Sequence, residues 1–448
     1  VEGTTPKYEV FTNEDAVQKD FNEVSYSGGR IAARWFINED WTMTAGIIHQ
    51  RSKSDGRPEH DPVYAGELKL VRFRPDKEFD DQDWTQYALT FEGDVGFADF
   101  VSATAYFTRD WTYTQDTSVG YATYFGWCYS YYPYGSPTVL SSLYCFQPAG
   151  VSSYYNDPVG YLQNVQKNTK FTQEFRMFHK GETIDWVAGL YYEDADEEWD
   201  FNSYTDGYDQ SQSWENLIAG RTGQPIPTQL SGDSWWYSGE RTKWEQYAVF
   251  GELTWHITDR WDLTAGARWF SRTMDKTYLV ALPNNNVPEI THPDGADITD
   301  WVPKISLSWN VTDSNMVYAL YSEGFRPGGT NRGRGDPFFP REYESDILEN
   351  FEIGTKNTLA GGRVRLNATY FDMKWKDYQL ELIDPTNAPC PVDGPDRIPG
   401  VCGQPWQKVL ANVGNASSKG LEVQFDWAVS QNLTLGANGT WLDAELDE

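Results

Sequence analysis

The chain has 448 residues, more than one ordinary soluble domain but within the range of one large barrel. Its formal net charge of −30 argues against a nucleic-acid partner, which needs a basic surface. A mean hydropathy of −0.63, without any run of about eighteen apolar residues, excludes a membrane-spanning helix.

The N-terminal Val1-Glu2-Gly3 lacks the basic and apolar regions of a signal peptide. From there on, period-two alternation dominates. In Trp244–Ile257, the side chains of Tyr247, Val249, Leu253, Trp255 and Ile257 share one face, and Gln246, Glu252, Thr254 and His256 share the other. Val364, Leu366, Ala368 and Tyr370 oppose Arg363, Arg365, Asn367 and Thr369. Leu421, Val423, Phe425, Trp427 and Val429 oppose Glu422, Gln424 and Asp426, and the pattern recurs from Asn432 to Trp441. On a helix of period 3.6 these sets would scatter, so they are strands.

The connections alternate in length. Short ones carry turn residues: Asn38-Glu39-Asp40, Gly93–Gly96, His179-Lys180-Gly181, Thr258-Asp259-Arg260, Thr312-Asp313-Ser314, Ala360-Gly361-Gly362 and Ser430-Gln431-Asn432. Long polar stretches lie between them: Ser52–Asp83, Thr117–Val165, Asn202–Glu240, Lys276–Ile298, Pro327–Ser345 and Asp384–Asn412. Seven short turns predict about fourteen antiparallel strands. Short turns on one side and long loops on the other are the rhythm of an outer-membrane β-barrel. Aromatic residues make 16% of the chain, and Tyr and Trp suit a membrane interface. Trp41, Trp84, Trp186 and Trp261 are read as sitting beside short turns, where an aromatic girdle would lie. A propeller would repeat at a fixed period, and no such repeat is present.

Two stretches carry a family likeness. One is Val317-Tyr318-Ala319-Leu320-Tyr321-Ser322-Glu323-Gly324-Phe325-Arg326-Pro327-Gly328-Gly329. The other begins Leu348-Glu349-Asn350-Phe351-Glu352-Ile353-Gly354-Thr355-Lys356 and runs through Arg363–Phe371 to Gly414-Asn415-Ala416-Ser417-Ser418-Lys419-Gly420-Leu421-Glu422. In order and composition they resemble the later barrel strands of TonB-dependent receptors. Gly28–Arg34 followed by Trp41-Thr42-Met43-Thr44 resembles the same family. The resemblance implies an all-β, transmembrane antiparallel barrel of 22 strands in the outer membrane of a Gram-negative bacterium. It further implies a plug folded inside and transport energised by the TonB–ExbB–ExbD complex pulling on that plug. No plug or energy-coupling box precedes the first strand, and no final aromatic strand follows. The expectation is therefore that residues 1–448 are the barrel portion, with long extracellular loops, of a longer protein.

Nothing in the sequence marks an enzyme, a cofactor or a metal centre. His49, His60, His179, His256 and His292 lack metal-ligand spacing, and no nucleophile elbow or dinucleotide fingerprint occurs. The acidic run Glu193-Asp194-Ala195-Asp196-Glu197-Glu198 matches no calcium loop and reads as a solvated strand end. Candidate ligand residues lie in the long loops. Arg326, Arg332 and Arg334 could grip an anionic ligand such as a ferric siderophore; lipopolysaccharide phosphates or inward acids are the other partners open to them. Tyr124, Trp127, Tyr131 and Tyr132 in one loop, with Trp235 and Trp236 in another, offer rigid rings either to a large ligand or to the loops' own packing.

The function expected is active import of a scarce bulky solute, a ferric siderophore first. Cobalamin, oligosaccharides and aromatic compounds are alternatives within the family, with a passive porin and a soluble hydrolase outside it. Partners expected are the solute, outer-membrane lipid and lipopolysaccharide. Cys128 and Cys145 share one long loop, and Cys390 and Cys402 another. Both loops fall on the side made extracellular by the barrel rule, so the pairs Cys128–Cys145 and Cys390–Cys402 are expected as disulfides.

Overall fold

A computed structural model describes residues 21–56, 75–118, 160–205, 208–210, 232–281, 290–331, 342–383 and 408–447, with positions 14, 17–19 and 72. The strands, in chain order, are β1 (Val24–Phe36), β2 (Trp41–Ser54), β3 (Phe79–Asp94), β4 (Asp99–Asp116), β5 (Gly160–His179) and β6 (Ile184–Thr205). Next come β7 (Ser234–Thr258), β8 (Trp261–Ala281), β9 (Ile290–Thr312), β10 (Asn315–Arg326), β11 (Gly329–Thr330) and β12 (Glu342–Tyr343). The last six are β13 (Asp346–Leu359), β14 (Val364–Lys376), β15 (Gln379–Ile383), β16 (Lys408–Asn412), β17 (Asn415–Ser430) and β18 (Leu433–Asp447). Fourteen of them form one antiparallel sheet in the order β1 to β10, then β13, β14, β17 and β18. Each of these strands pairs with its neighbours in that sequence, as in an up-and-down barrel wall. β11–β12 and β15–β16 are separate two-stranded hairpins.

All seven predicted short turns are present, at one end of the sheet. The β13–β14 turn shows why its residues are there: Ala360, Gly361 and Gly362 all take positive φ, at 53°, 66° and 89°. Glycine adopts that region without a Cβ penalty.

The two faces of the sheet differ. On one face large apolar side chains stand in the open: Leu190 is 55% exposed, Val249 50% and Trp301 60%. Registered pairs extend this face laterally. Tyr87 pairs with Tyr106, Tyr106 with Phe171 and Tyr192 with Tyr247, and the Phe171 ring lies diagonally against Tyr192, with centroids 6.2 Å apart. Trp269 pairs with Trp301, Ile353 with Tyr370, and Leu421 with Trp441. These form an upper aromatic row. Nearer the short turns stand Trp186, Trp255 and the stacked pair Trp261–Trp309, whose ring centroids are 5.3 Å apart. Trp261 and Trp269, like Trp301 and Trp309, lie eight residues apart. At about 3.4 Å per residue and a tilt near 40°, the two rows are roughly 20 Å apart, close to the apolar band of a barrel in a bilayer. The outward face is thus lipid-facing, and the odd residues from Leu421 to Trp427 belong to it.

Three expectations change. Trp84 lies ten residues from the end of β3 at Asp94, in register with Arg109 on the other face, and so belongs to no lower girdle. The acidic run is not a strand end but the middle of β6. There Glu193 and Glu197 face inward, while Asp194, Asp196 and Glu198 face outward towards Lys243 and Arg241. Likewise residues 202–205, 234–240, 276–281 and 290–298 are strand, because β6 to β9 continue beyond the upper aromatic row. Above that row neither face meets lipid, so the alternation that betrays a half-buried strand is lost.

Candidate functional site: inner wall and extracellular rim

The inward face is polar and ionic. Glu193 is its best-satisfied group: Oε2 accepts from Lys170 Nζ at 2.7 Å and Tyr191 Oη at 2.6 Å, and Oε1 accepts from Trp244 Nε1 at 2.8 Å. Lys276 Nζ reaches Glu240 at 2.7 Å, and Lys304 Nζ reaches Glu252 at 2.7 Å. Guanidinium groups lie on rings: Arg109 over Trp111 at 4.6 Å, Arg268 over Tyr191 at 5.0 Å, and Arg272 over Trp244 at 5.0 Å. Strand alternation explains the arrangement, since every second residue of β4, β6, β7 and β8 is delivered to this face.

The rim gathers two long connections. Arg326, the last residue of β10, stands opposite Asp346 of β13. Its Nε and Nη2 both donate to Asp346 Oδ2, at 3.1 and 2.5 Å, and Nη2 also donates to the Gln379 carbonyl at 2.8 Å. The guanidinium sits over Trp375 at 5.2 Å and Tyr378 at 5.4 Å. Asp346 is fully buried and also accepts the Gln379 amide N–H at 3.0 Å. Gln379 Nε2 donates to the carbonyls of Pro327 and Glu344, at 3.1 and 2.9 Å.

Asparagine side chains complete the stitching by imitating strand backbone. Asn331 exchanges two hydrogen bonds with the backbone of Leu410, at 2.7 and 2.8 Å. Asn412 does the same with Glu344, at 3.0 and 2.8 Å. The unit is fastened to the inner wall. Tyr278 Oη, buried on β8, donates to the Thr330 carbonyl at 2.9 Å, and Phe325 stacks on fully buried Phe270 at 3.9 Å. The β10–β13 and β14–β17 connections therefore fold together and inward.

Of the residues picked from sequence, Arg326 is placed at this junction, already held by Asp346 and Gln379. Trp235 and Trp236 are the second and third residues of β7. Arg332, Arg334, Tyr124, Trp127, Tyr131, Tyr132 and the four cysteines lie outside the described residues. Sequence reading did not single out Asp346, Gln379, Asn331, Asn412, Arg268 or Arg272. The signal available for the first four was an acid or amide beside a strand end. Among the described residues no cluster of His, Cys, Asp and Glu could hold a metal ion.

The family description "TonB dependent receptor-like, beta-barrel" matches residues 11–447. A pesticin receptor from Yersinia pestis is 26% identical over 283 residues, covering 62% of this chain and 34% of that protein. A probable TonB-dependent siderophore receptor, PiuA of Acinetobacter baumannii, is 23% identical over 54% of this chain and 29% of its own length. Among solved structures, the ferric yersiniabactin uptake receptor FyuA from Yersinia pestis superposes with a TM-score of 0.65 at 18% identity. It covers 95% of this chain and 52% of that one. The ferric-catecholate import receptor Fiu of E. coli gives 0.60 at 12% identity, over 96% of this chain and 59% of that one. The chain spans about a third of the length of the curated relatives it matches and little more than half of these solved chains. With its outward aromatic rows, its wet inner face and a family match over nearly all its residues, the chain belongs to the TonB-dependent receptors, as part of their β-barrel.

Proposed function

We propose that this chain forms most of the barrel wall of a transporter in the outer membrane of a Gram-negative bacterium, importing an anionic ferric siderophore. The reading rests on the inside-out wall: an apolar, aromatic outer face set against an inner face of ion pairs and guanidinium groups. Such a wall encloses water and attracts anions while lipid covers its outside. The names of the similar receptors support iron chelates as the solute class.

In this mechanism the chain's own residues bind and orient. Loops bearing Arg332, Arg334, Tyr124, Trp127, Tyr131 and Tyr132, with Trp235 and Trp236 at the start of β7, meet the solute first. Arg326 holds two of the connections in place and keeps exposed surface toward the mouth. Movement across the membrane is assigned to a plug domain pulled by the TonB–ExbB–ExbD complex, with lipid and lipopolysaccharide packed against the outer rows.

The test uses cells with the full-length protein as their sole receptor under iron limitation. Uptake of radioactive iron from a siderophore panel should cease when an uncoupler collapses the proton gradient. Uptake that continues unchanged identifies a passive porin instead.

A further inference from the structure

We infer that the wall is lapped and not zipped between β9 and β10, and that this seam is a lateral passage for an alkyl chain at the level of the outer leaflet. The solute it fits is a chelate with an acyl tail, its head in the lumen and its tail in the lipid. The inference rests on the transport reading above and narrows its solute class. Among the described residues, every other neighbouring pair of wall strands stays paired to within one residue of the upper end of the shorter strand. β9 and β10 part at Lys304 opposite Ser322, although β10 runs on to Arg326 and β9 extends upward to Ile290.

The backbone shows why the ladder stops there. Asn310 N–H donates to the Arg260 carbonyl at 2.8 Å, so even residues of β9 turn their polar groups to β8 and odd ones to β10. Thr358 N–H donates to the Ser314 carbonyl at 2.8 Å, which by the same alternation turns the odd residues of β10 to β9. The last rung is therefore Ile305 with Tyr321. The next would join Pro303 to Glu323, and proline has no N–H to give. One rung higher, the Trp301 N–H donates to the side chain beside it, Asp300 Oδ1, at 2.8 Å. Two edge donors that would stand unsatisfied beside lipid are thus absent or occupied.

β10 meanwhile passes inside β9. Phe325 shares the outward face of its strand with Tyr321, yet its ring stacks at 3.9 Å on Phe270, which is fully buried on the inner face of β8. Thr330 follows it there, its carbonyl accepting from Tyr278 Oη. Such a lap joint opens by parting side chains, with no backbone ladder to break. Its height is set by Trp301, a member of the upper aromatic row that is 60% exposed. Pro303 lies two residues nearer the short turns, about 5 Å lower once tilt is counted, so the seam begins inside the apolar band. There is room beside it, because a Cβ placed on Gly324 would meet nothing within 4 Å. A water-soluble chelate entering from above needs no break in the wall; a chain that runs from lumen to lipid does.

The experiment uses full-length receptor in outer-membrane vesicles and two probes with a diazirine at the end of an alkyl chain. One is the anionic ferric complex of a citrate dihydroxamate carrying a lauroyl tail, and the other is a phosphatidylcholine. After illumination, peptide mapping should find the chelate probe on Phe270 and Phe325, and the lipid probe on outward Trp301 and Ile305 alone. Pro303→Val restores the missing donor and should cut chelate labelling of Phe270 and Phe325 roughly tenfold, the worth of about one hydrogen bond, with lipid labelling of Ile305 unchanged. Gly324→Leu, which fills the open space, should do the same, and heat-modifiable migration verifies that both variants fold. Chelate labelling confined to Trp301 and Ile305, or undiminished in both variants, overturns the passage. So does equal labelling of Phe270 and Phe325 by the phosphatidylcholine, since the joint would then hold lipid and not solute. If the labelling is as expected but iron from neither the acylated nor the tail-free chelate enters energised cells, the transport reading fails and the seam stands. If the tail-free chelate delivers iron and the inward rings stay unlabelled, the seam alone fails.

Discussion

Arg326 and Asp346 face each other at the top of β10 and β13, and the buried carboxylate takes two N–H groups from one guanidinium through a single oxygen, Oδ2. The same oxygen accepts the Gln379 amide, so one acid joins the start of β15 to the ends of two wall strands. Arg326→Ala leaves a buried charge with only that backbone donor. Removing one partner of a buried pair costs about 3–5 kcal/mol, and the partly exposed guanidinium places this pair at the lower end. Limited proteolysis within 327–345 and 384–407 should accelerate on the order of a hundredfold while strand content by circular dichroism is unchanged. Unaltered cleavage would mean that the loops are held elsewhere.

Tyr278→Phe offers a milder test of the attachment to the wall. It removes the side-chain hydrogen bond to the carbonyl of buried Thr330, at about 1–3 kcal/mol. Cleavage in 332–341 should rise, whereas cleavage near the β15–β16 hairpin should change less. Equal acceleration in both would show that the hairpins open only as one body.

The lipid-facing register can be tested directly. Val423 lies on the outward face between Ala368 and Gly439, and Gln424 lies on the inward face beside Asn367. An arginine facing the bilayer midplane costs roughly 2–4 kcal/mol, and one facing the lumen costs far less. Val423→Arg should therefore reduce the folded fraction assembled into lipid vesicles, read as heat-modifiable migration, and Gln424→Arg should not. The reverse order would invert the two faces.

Arg332 and Arg334 can be separated from Arg326. Replacing both with Gln should weaken binding of an anionic ferric chelate and leave loop proteolysis unchanged. Arg326→Ala should change proteolysis first. Unchanged affinity in the double variant removes Arg332 and Arg334 from the ligand contacts.

For the cysteines the expected result is Cys128–Cys145 and Cys390–Cys402, each closing a loop within one connection. The chain-entropy model gives about 3 kcal/mol for each closure. Non-reducing peptide mapping should recover both cross-linked pairs. Free thiols that alkylate without reductant, or a bond between the two loops, would defeat the pairing.

The wall was legible in the sequence wherever one face meets lipid. From Tyr247 to Ile257 and from Leu421 to Trp427 the period of two is forced by an apolar outside and a wet inside, and the turn residues mark the strand ends. Above the upper aromatic row polar and aromatic residues occur on both faces, so β6 as far as Thr205 and β7 from Ser234 read as loop. Trp84 shows the same limit, because an aromatic residue alone does not say which face it takes. The site was less legible still. Arg268 and Arg272 owe their setting to Tyr191, Phe250 and Trp244 on other strands. Asn331 and Leu410 lie 79 residues apart, and no local pattern announces that exchange.

β6 and β7 stay in register from Ile184 opposite Trp255 up to Ser203 opposite Trp236, and after a one-residue shift Tyr204 lies opposite Ser234. Some thirteen residues of each lie beyond Tyr192 and Tyr247, a parapet roughly 30 Å high once strand tilt is counted. Ladder amides there should exchange with deuterium as slowly as those at bilayer depth, since opening one rung means opening its neighbours. To an antibody or a phage tail this part of the surface is a fixed relief and not a shifting one. Escape from such a binder then calls for altered side chains on a kept backbone.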